Sequence, residues 1–241
     1  MNKTILLLAV NVCSLAVALP VWAHLPYLEA DKKAVVVVDP EISKAYYGWL
    51  QGSAADYLID SRQPFLLYLN LLAPQVENAQ LDFSMKIYKD GDLLETRSDE
   101  DAFWQVDYEP FANDYYLKGP EYETQMSPGN YKIEIFNSGN SGNYVLAVGK
   151  KEDLSFGQFL RTLAVLPQVK QEFWGKPLWQ AYNNFVGLAA FILLVLLLMA
   201  AYFAISFIKN RRLKIKLDNE YKNNRNAGGA DRGGSFAEER L

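Results

Sequence analysis

Tyr131-Lys132-Ile133-Glu134-Ile135-Phe136, followed by a loop of Asn, Ser and Gly and then Tyr144-Val145-Leu146-Ala147-Val148, carries side chains in a period of two. Successive strand residues point to opposite faces, so Tyr131, Ile133 and Ile135 share one face while Lys132, Glu134 and Phe136 share the other. Tyr144, Leu146 and Val148 likewise alternate with Val145 and Ala147, so the two runs read as neighbouring strands. Working outward, Phe83, Met85 and Ile87 repeat the pattern. Asp90-Gly91 after them predicts a tight hairpin, because a primed turn needs positive φ, which Gly adopts without strain. Residues 65–72 are apolar almost throughout except Asn70, as in a central strand covered on both faces. Turn signals recur about every 8–12 residues between Ala34 and Val148, which predicts an all-β, antiparallel sandwich of about nine strands in two sheets.

Ser127-Pro128-Gly129-Asn130-Tyr131-Lys132-Ile133-Glu134-Ile135 and Gly139-Asn140-Ser141-Gly142-Asn143-Tyr144-Val145-Leu146-Ala147-Val148 together resemble the closing hairpin of the bacterial pre-peptidase C-terminal domain. Tyr47-Gly48-Trp49-Leu50 and Asp56-Tyr57 stand where that family has its opening Gly and Asp-Tyr. The resemblance covers the first and last thirds of the domain and leaves residues 104–122 unmatched. It implies a β-sandwich with an accessory role beside enzymes, and no catalytic residues.

The unmatched segment interleaves Trp104, Tyr108, Phe111, Tyr115, Tyr116 and Tyr122 with acids and amides. Rings beside fixed polar groups suit a peptide or glycan surface, whereas large aromatics also serve as core. Asn113-Asp114 and Gly119-Pro120 are turn signals, which predicts a loop exposing Tyr115, Tyr116 and Tyr122, with Asp114 and Glu121 beside them, while Trp104 belongs to the core.

Residues 185–208 contain no Asp, Glu, Lys or Arg and are followed by Lys209, Arg211, Arg212, Lys214 and Lys216. About 20 apolar helical residues cross a ~30 Å hydrocarbon core, and a basic cluster marks the cytoplasmic end. Residues 1–23, with Lys3, a short apolar run and Ala23, read as a signal peptide that leaves His24 as the mature N-terminus. Residues 24–150 are then the extracytoplasmic sandwich, 151–184 an amphipathic helix and aromatic linker, 185–208 the span, and 209–241 a basic cytoplasmic tail. The tail's helix is expected to continue to about Tyr221 and its Gly/Asn-rich distal part to be disordered.

In the linker, Ser155 is an expected N-cap, with Phe156, Phe159, Leu160 and Leu163 on one stripe and Pro167 as the stop. That stripe suits either the outer leaflet or the underside of the sandwich. Trp174, Trp179 and Tyr182 are expected at the headgroup level, as are Lys209, Arg211 and Arg212 on the other side.

Residues 24–184 hold 14 basic and 23 acidic residues, against 9 and 5 in residues 209–241. Nucleic acid is excluded as a partner by that acidity, because phosphate binding depends on Lys and Arg. Cys13, the one cysteine, lies in the signal peptide, so no disulfide is expected; with no N-glycosylation triplet after residue 23, a prokaryotic cell envelope fits.

One His and no mature Cys argue against nucleophile-and-base catalysis. Asp107, Glu109, Asp114 and Glu121 would allow a carboxylate glycosidase, and an N-terminal His24 offers an amine and imidazole chelate for copper. Asp90-Gly91-Asp92 and Asp99-Glu100-Asp101 lack calcium-loop spacing. No cofactor or resident metal is expected, and neither is an enzyme. The expected role is a single-pass, membrane-anchored extracytoplasmic module that interacts with the bilayer and with a protein, peptide or glycan. A structural accessory subunit of a larger membrane complex is the alternative.

Overall fold

The computed structural model describes residues 24–29, 34–109, 113–153 and 155–230. Residues 1–23, expected as a signal peptide, and the last part of the tail, residues 231–241, lie outside them. Among the described residues there are eleven strands: β1 (Leu25–Leu28), β2 (Ala34–Val36), β3 (Lys44–Gln51), β4 (Ala55–Ser61), β5 (Phe65–Pro74), β6 (Ser84–Lys89), β7 (Asp92–Arg97), β8 (Gln105–Glu109), β9 (Asp114–Met126), β10 (Gly129–Phe136) and β11 (Ser141–Val148). Helix α1 (Phe156–Trp174), a 3-10 turn (Leu178–Tyr182) and helix α2 (Phe185–Ala230) follow.

The strands form two sheets, ordered β1-β3-β11-β5-β9-β8 and β2-β4-β10-β6-β7. The expected sandwich is present with two strands more than expected. Not every pair is antiparallel: β1 runs parallel to β3, and β2 parallel to β4. These additions are short edge strands of four and three residues, too brief for a period-two signal.

Ile133, Ile135, Met85, Ile87, Phe83, Leu67, Leu69, Leu71 and Leu146 meet between the sheets with no exposed area. Tyr57 of β4 and Tyr144 of β11 join the sheets through a 2.9 Å hydrogen bond between their hydroxyls. Gly48 makes room for that pair, since a Cβ there would stand 2.5 Å from the Tyr144 hydroxyl. Gly48→Ala is therefore expected to cost about 1–3 kcal/mol by overpacking, read as a lower urea midpoint, with part of the loss recovered when Tyr144→Phe is added. An unchanged midpoint would mean that the ring moves aside freely.

Both faces of the first sheet are covered, because α1 lies on its outer side. Val169, Phe173 and Trp174 pack there against Ala45, Tyr47, Leu72, Tyr116, Val145 and Ala147. The C-terminal half of α1 thus packs on the sandwich, while Phe156 and Leu160 of the expected stripe stay exposed, and Trp174 moves from the expected headgroup level to a buried site with 9% exposure.

Helix α1 starts as expected, with the Ser155 hydroxyl accepting from the Gln158 amide and the Gln158 side chain accepting from the Ser155 amide. Pro167 does not end it. A proline inside a helix leaves the carbonyl four residues earlier without its amide, and here the Tyr182 hydroxyl donates to that Leu163 carbonyl at 2.9 Å. Leu166, Val169, Lys170 and Phe173 then continue the buried stripe to Trp174, where Gly175 at φ 62° closes the helix.

The segment expected as a loop is a hairpin, β8 paired with β9, turning at Asn113 with φ 54°. Tyr116 and Tyr122 are buried, and so is Asp114, which corrects their expected exposure; Tyr115 and Glu121 are exposed. Strand pairing shifts register between Asn70 and Leu72 of β5, opposite Gly119-Pro120. Tyr116 and Tyr122 are an even number of residues apart, yet this bulge puts Tyr116 under α1 and Tyr122 in the inter-sheet core. The Trp104 ring lies against Gly119, where a Cβ would meet it at 2.5 Å, and is partly buried on that core.

Of the described residues, 190–230, the greater part of α2, belong to a separate compact unit. Among the described residues, α2 is the one helix long and apolar enough to cross a membrane. It continues past Tyr221 to Ala230, correcting the expected end, because an established helix gains one hydrogen bond per added residue and no proline interrupts it.

Candidate functional site

Helix α1 is narrower than the sheet it covers, so part of the outer face of β1, β3, β5, β9 and β8 is left as a cavity of about 320 Å³. Strand parity turns Ala45 and Tyr47 of β3, Tyr68, Asn70 and Leu72 of β5, and Tyr116 and Lys118 of β9 toward it. Asp107 and Glu109, two apart on β8, line it, as do His24, Lys150, Glu152 and Leu166 of α1.

The floor is rigid. The Asn70 amide donates to the Gly119 and Pro120 carbonyls at 3.3 Å each, bridging the bulge where Pro120 has no amide to offer. The Tyr47 and Tyr116 hydroxyls share a 2.6 Å hydrogen bond, and burial raises the pKa of both phenols, so both stay neutral. The rim is charged: Lys118 pairs with Asp107 at 3.1 Å, and Lys150 pairs with Glu123 at 2.6 Å while lying 4.2 Å from the Tyr68 ring centre.

The His24 ring sits in this cavity with Nδ1 2.7 Å from the Ser43 hydroxyl. Burial, with help from the Lys118 charge and opposed by Asp107, lowers its pKa from 6.5 to about 4. Between those values the unfolded chain binds a proton that the folded chain refuses. Stability is thus complete above pH 6.5 and declines toward pH 4, by about 1–3 kcal/mol. Urea titrations at pH 7 and pH 4.5 are expected to show a smaller acid loss in His24→Gln than in the parent; equal losses would show that His24 is not held neutral.

A Ser and a His in hydrogen-bond contact meet one requirement of nucleophilic chemistry; Ser43 is 1% exposed and lines the cavity beside His24. Asp114 is not a ligand-surface residue. It is 1% exposed and receives both Lys170, itself 2% exposed, and Lys176. Lys170 and this ion pair escaped the sequence reading, although the Lys170 position on the apolar stripe of α1 was a signal for it. Among the described residues no group of three or more His, Cys, Asp or Glu is arranged to hold a metal. Asp90 instead accepts from the Asn130 amide at 3.0 Å, and Asp99 from the Ser84 hydroxyl at 2.8 Å, so both serve turns.

Of the remaining sequence candidates, Tyr115 is 52% exposed and packs against Tyr108 with ring centres 4.9 Å apart and planes tilted by 43°. Trp179 and Tyr182 are 73% and 45% exposed beside the start of α2. Lys209, Arg211 and Arg212 are exposed on α2. The structure therefore does not gather the aromatic candidates into one surface.

No family model matches the chain. No curated protein matches it either. Among solved structures it is similar to the pre-peptidase C-terminal domain of collagenase from Bacillus anthracis, at 12% identity and TM-score 0.31, covering 49% of this chain and 94% of that one. It is also similar to CorA of Methylomicrobium album BG8, a surface-associated copper-binding protein, at 10% identity and TM-score 0.26, covering 51% and 100%. A β-glucosidase from Paenibacillus barengoltzii matches at 10% identity and TM-score 0.23, covering 54% of this chain and 13% of that one. None of these likenesses bears on ligand or chemistry; the sandwich is similar to a pre-peptidase C-terminal domain.

Proposed function

We propose that the chain is a single-pass, membrane-anchored binding module facing outside the cytoplasm, which takes a small polar ligand or the end of a peptide or glycan and performs no chemistry on it. The observation that carries this reading is the cavity of about 320 Å³, which combines aromatic and aliphatic walls with polar groups fixed by strand positions and a bulge. Binding pockets have that composition. The charged rim, Lys118 with Asp107 and Lys150 with Glu123, supplies both signs for a zwitterion or a hydroxylated ring.

Thermal unfolding of the full chain in detergent, with free amino acids, dipeptides, and mono- and disaccharides as probes, tests it. At 100 times its Kd a true ligand adds about 2.7 kcal/mol to stability. At least one probe class is expected to raise the melting temperature, and Lys118→Met, a change at a half-exposed position, is expected to abolish the rise. If no class does so while another membrane protein co-purifies in fixed stoichiometry, the accessory-subunit reading replaces this one. Burial of Tyr122 in the inter-sheet core favours that second reading, since a spacer has no need to display its rings.

Orientation is testable separately. Because Lys209, Arg211 and Arg212 follow the apolar run, a tag after Leu241 is expected to survive protease added to intact cells. Loss of the tag with protection of the sandwich would reverse the topology.

A further inference from the structure

We infer that the turn-proximal end of β8 and β9, with Tyr108, Asn113 and Tyr115, is a second membrane-contact surface, seated in the headgroup zone of the leaflet that the chain enters at Phe185. This rests on the reading that α2 crosses a bilayer. The Asn113 side chain, at the turn of the hairpin, donates to the Asn183 carbonyl at 2.8 Å. Asn183 is two residues before Phe185, where the apolar helix begins. A residue so close to the start of a span lies within the interfacial layer by chain continuity alone, and a 2.8 Å bond carries Asn113 to the same depth. Both partners belong to one compact unit, residues 1–189, so the contact does not depend on how the rest of α2 is placed.

The side chains around that bond suit the layer. Tyr108 and Tyr115 pack at a tilt with ring centres 4.9 Å apart and remain 44% and 52% exposed, and the Tyr108 hydroxyl donates to Asn113 at 2.9 Å. Trp179 and Tyr182 lie on the turn that leads to Asn183, at 73% and 45% exposure. Amphipathic rings with one polar handle concentrate where headgroups meet acyl chains. The hairpin is not free to swing from its place, because the Trp174 indole donates to the Tyr115 carbonyl at 3.3 Å and Asp114 is held by Lys170 and Lys176. Those two lysines outnumber the one buried carboxylate they hold, so Asp114 puts no unpaired negative charge at this end, and zwitterionic phosphatidylcholine is the partner proposed.

The test uses the full chain in phosphatidylcholine vesicles, with Cys13→Ser and one new cysteine carrying an environment-sensitive fluorophore. Tyr115→Cys reports the tip. Gln63→Cys reports the opposite end of the 13-residue strand β9, beside Phe65, which pairs with Met126. Leu198→Cys reports the span. A headgroup-attached nitroxide is expected to quench residue 115 at least twofold and to leave residue 63 unchanged, while a deep acyl nitroxide quenches residue 198. Adding Asn113→Ala is expected to weaken quenching at 115 without altering it at 198. If residue 198 is quenched but 115 behaves like 63, the hairpin contact is overturned and the span stands. If 198 escapes the deep quencher, the spanning reading fails and takes this inference with it.

Discussion

Asp114→Ala is expected to remove about 3–5 kcal/mol of stability, the largest loss from any one substitution outside the inter-sheet core. Lys170 is 2% exposed on the buried stripe of α1, and Asp114, 1% exposed at the start of β9, is its carboxylate partner. Burial lowers the Lys170 pKa below 10.5, and the Asp114 bond and charge oppose that shift. Without Asp114 the ammonium loses this compensation while Lys176, a second cation, remains nearby. Its pKa then falls further. The unfolded lysine still binds its proton up to about pH 10.4, so stability of the variant rises with pH across the window between the depressed folded value and that limit. Urea titrations at pH 7 and pH 9.5 are expected to show a smaller gap from the parent at the higher pH. Adding Lys170→Met removes the stranded charge and is expected to recover most of the loss. A single variant within about 0.5 kcal/mol of the parent at pH 7 would show that the pair is hydrated and contributes nothing.

The second large effect concerns where the folded unit ends. A fragment of residues 24–150 contains every strand, yet it is expected to aggregate, while residues 24–184 melt cooperatively. Cutting at 150 bares Tyr47, Leu72, Val145 and Ala147, which lie under α1, and leaves Asp114 without Lys170. Val169, Phe173 and Trp174 each contribute roughly 1.5–3 kcal/mol by burial, a sum comparable with the 5–15 kcal/mol of a whole domain. Calorimetry of both fragments decides it: equal melting temperatures would show the helix to be an attachment and not part of the core.

Local chemistry explains what was legible without a structure. Period-two patterning located β6, β10 and β11 because each has one face toward the inter-sheet core, and the Asp90-Gly91 turn and the Ser155 cap need only their immediate neighbours. Length and hydropathy alone mark α2 as a possible span. Within the site, His24, Asp107, Glu109 and Tyr116 had been singled out, but as a copper chelate, glycosidase carboxylates and an exposed ring, not as walls of one cavity.

What tertiary structure decided depends on partners distant in the chain. Val145 and Ala147 look like the outer half of an alternating strand, and only the arrival of α1 buries them. Pro167 should stop a helix by local rules, but Tyr182 supplies the donor that its ring removes. A β-bulge at Gly119-Pro120 inverts the parity of β9, so spacing could not tell that Tyr116 faces the helix and Tyr122 the other sheet. Asp114 read as a ligand-surface acid in an exposed loop because its cations, Lys170 and Lys176, are more than fifty residues away. The sequence by itself determined strand faces, turns and the apolar helix, since these follow from neighbouring residues. The cavity, the buried ion pair and the seat of the hairpin follow from contacts that close only when the chain has folded.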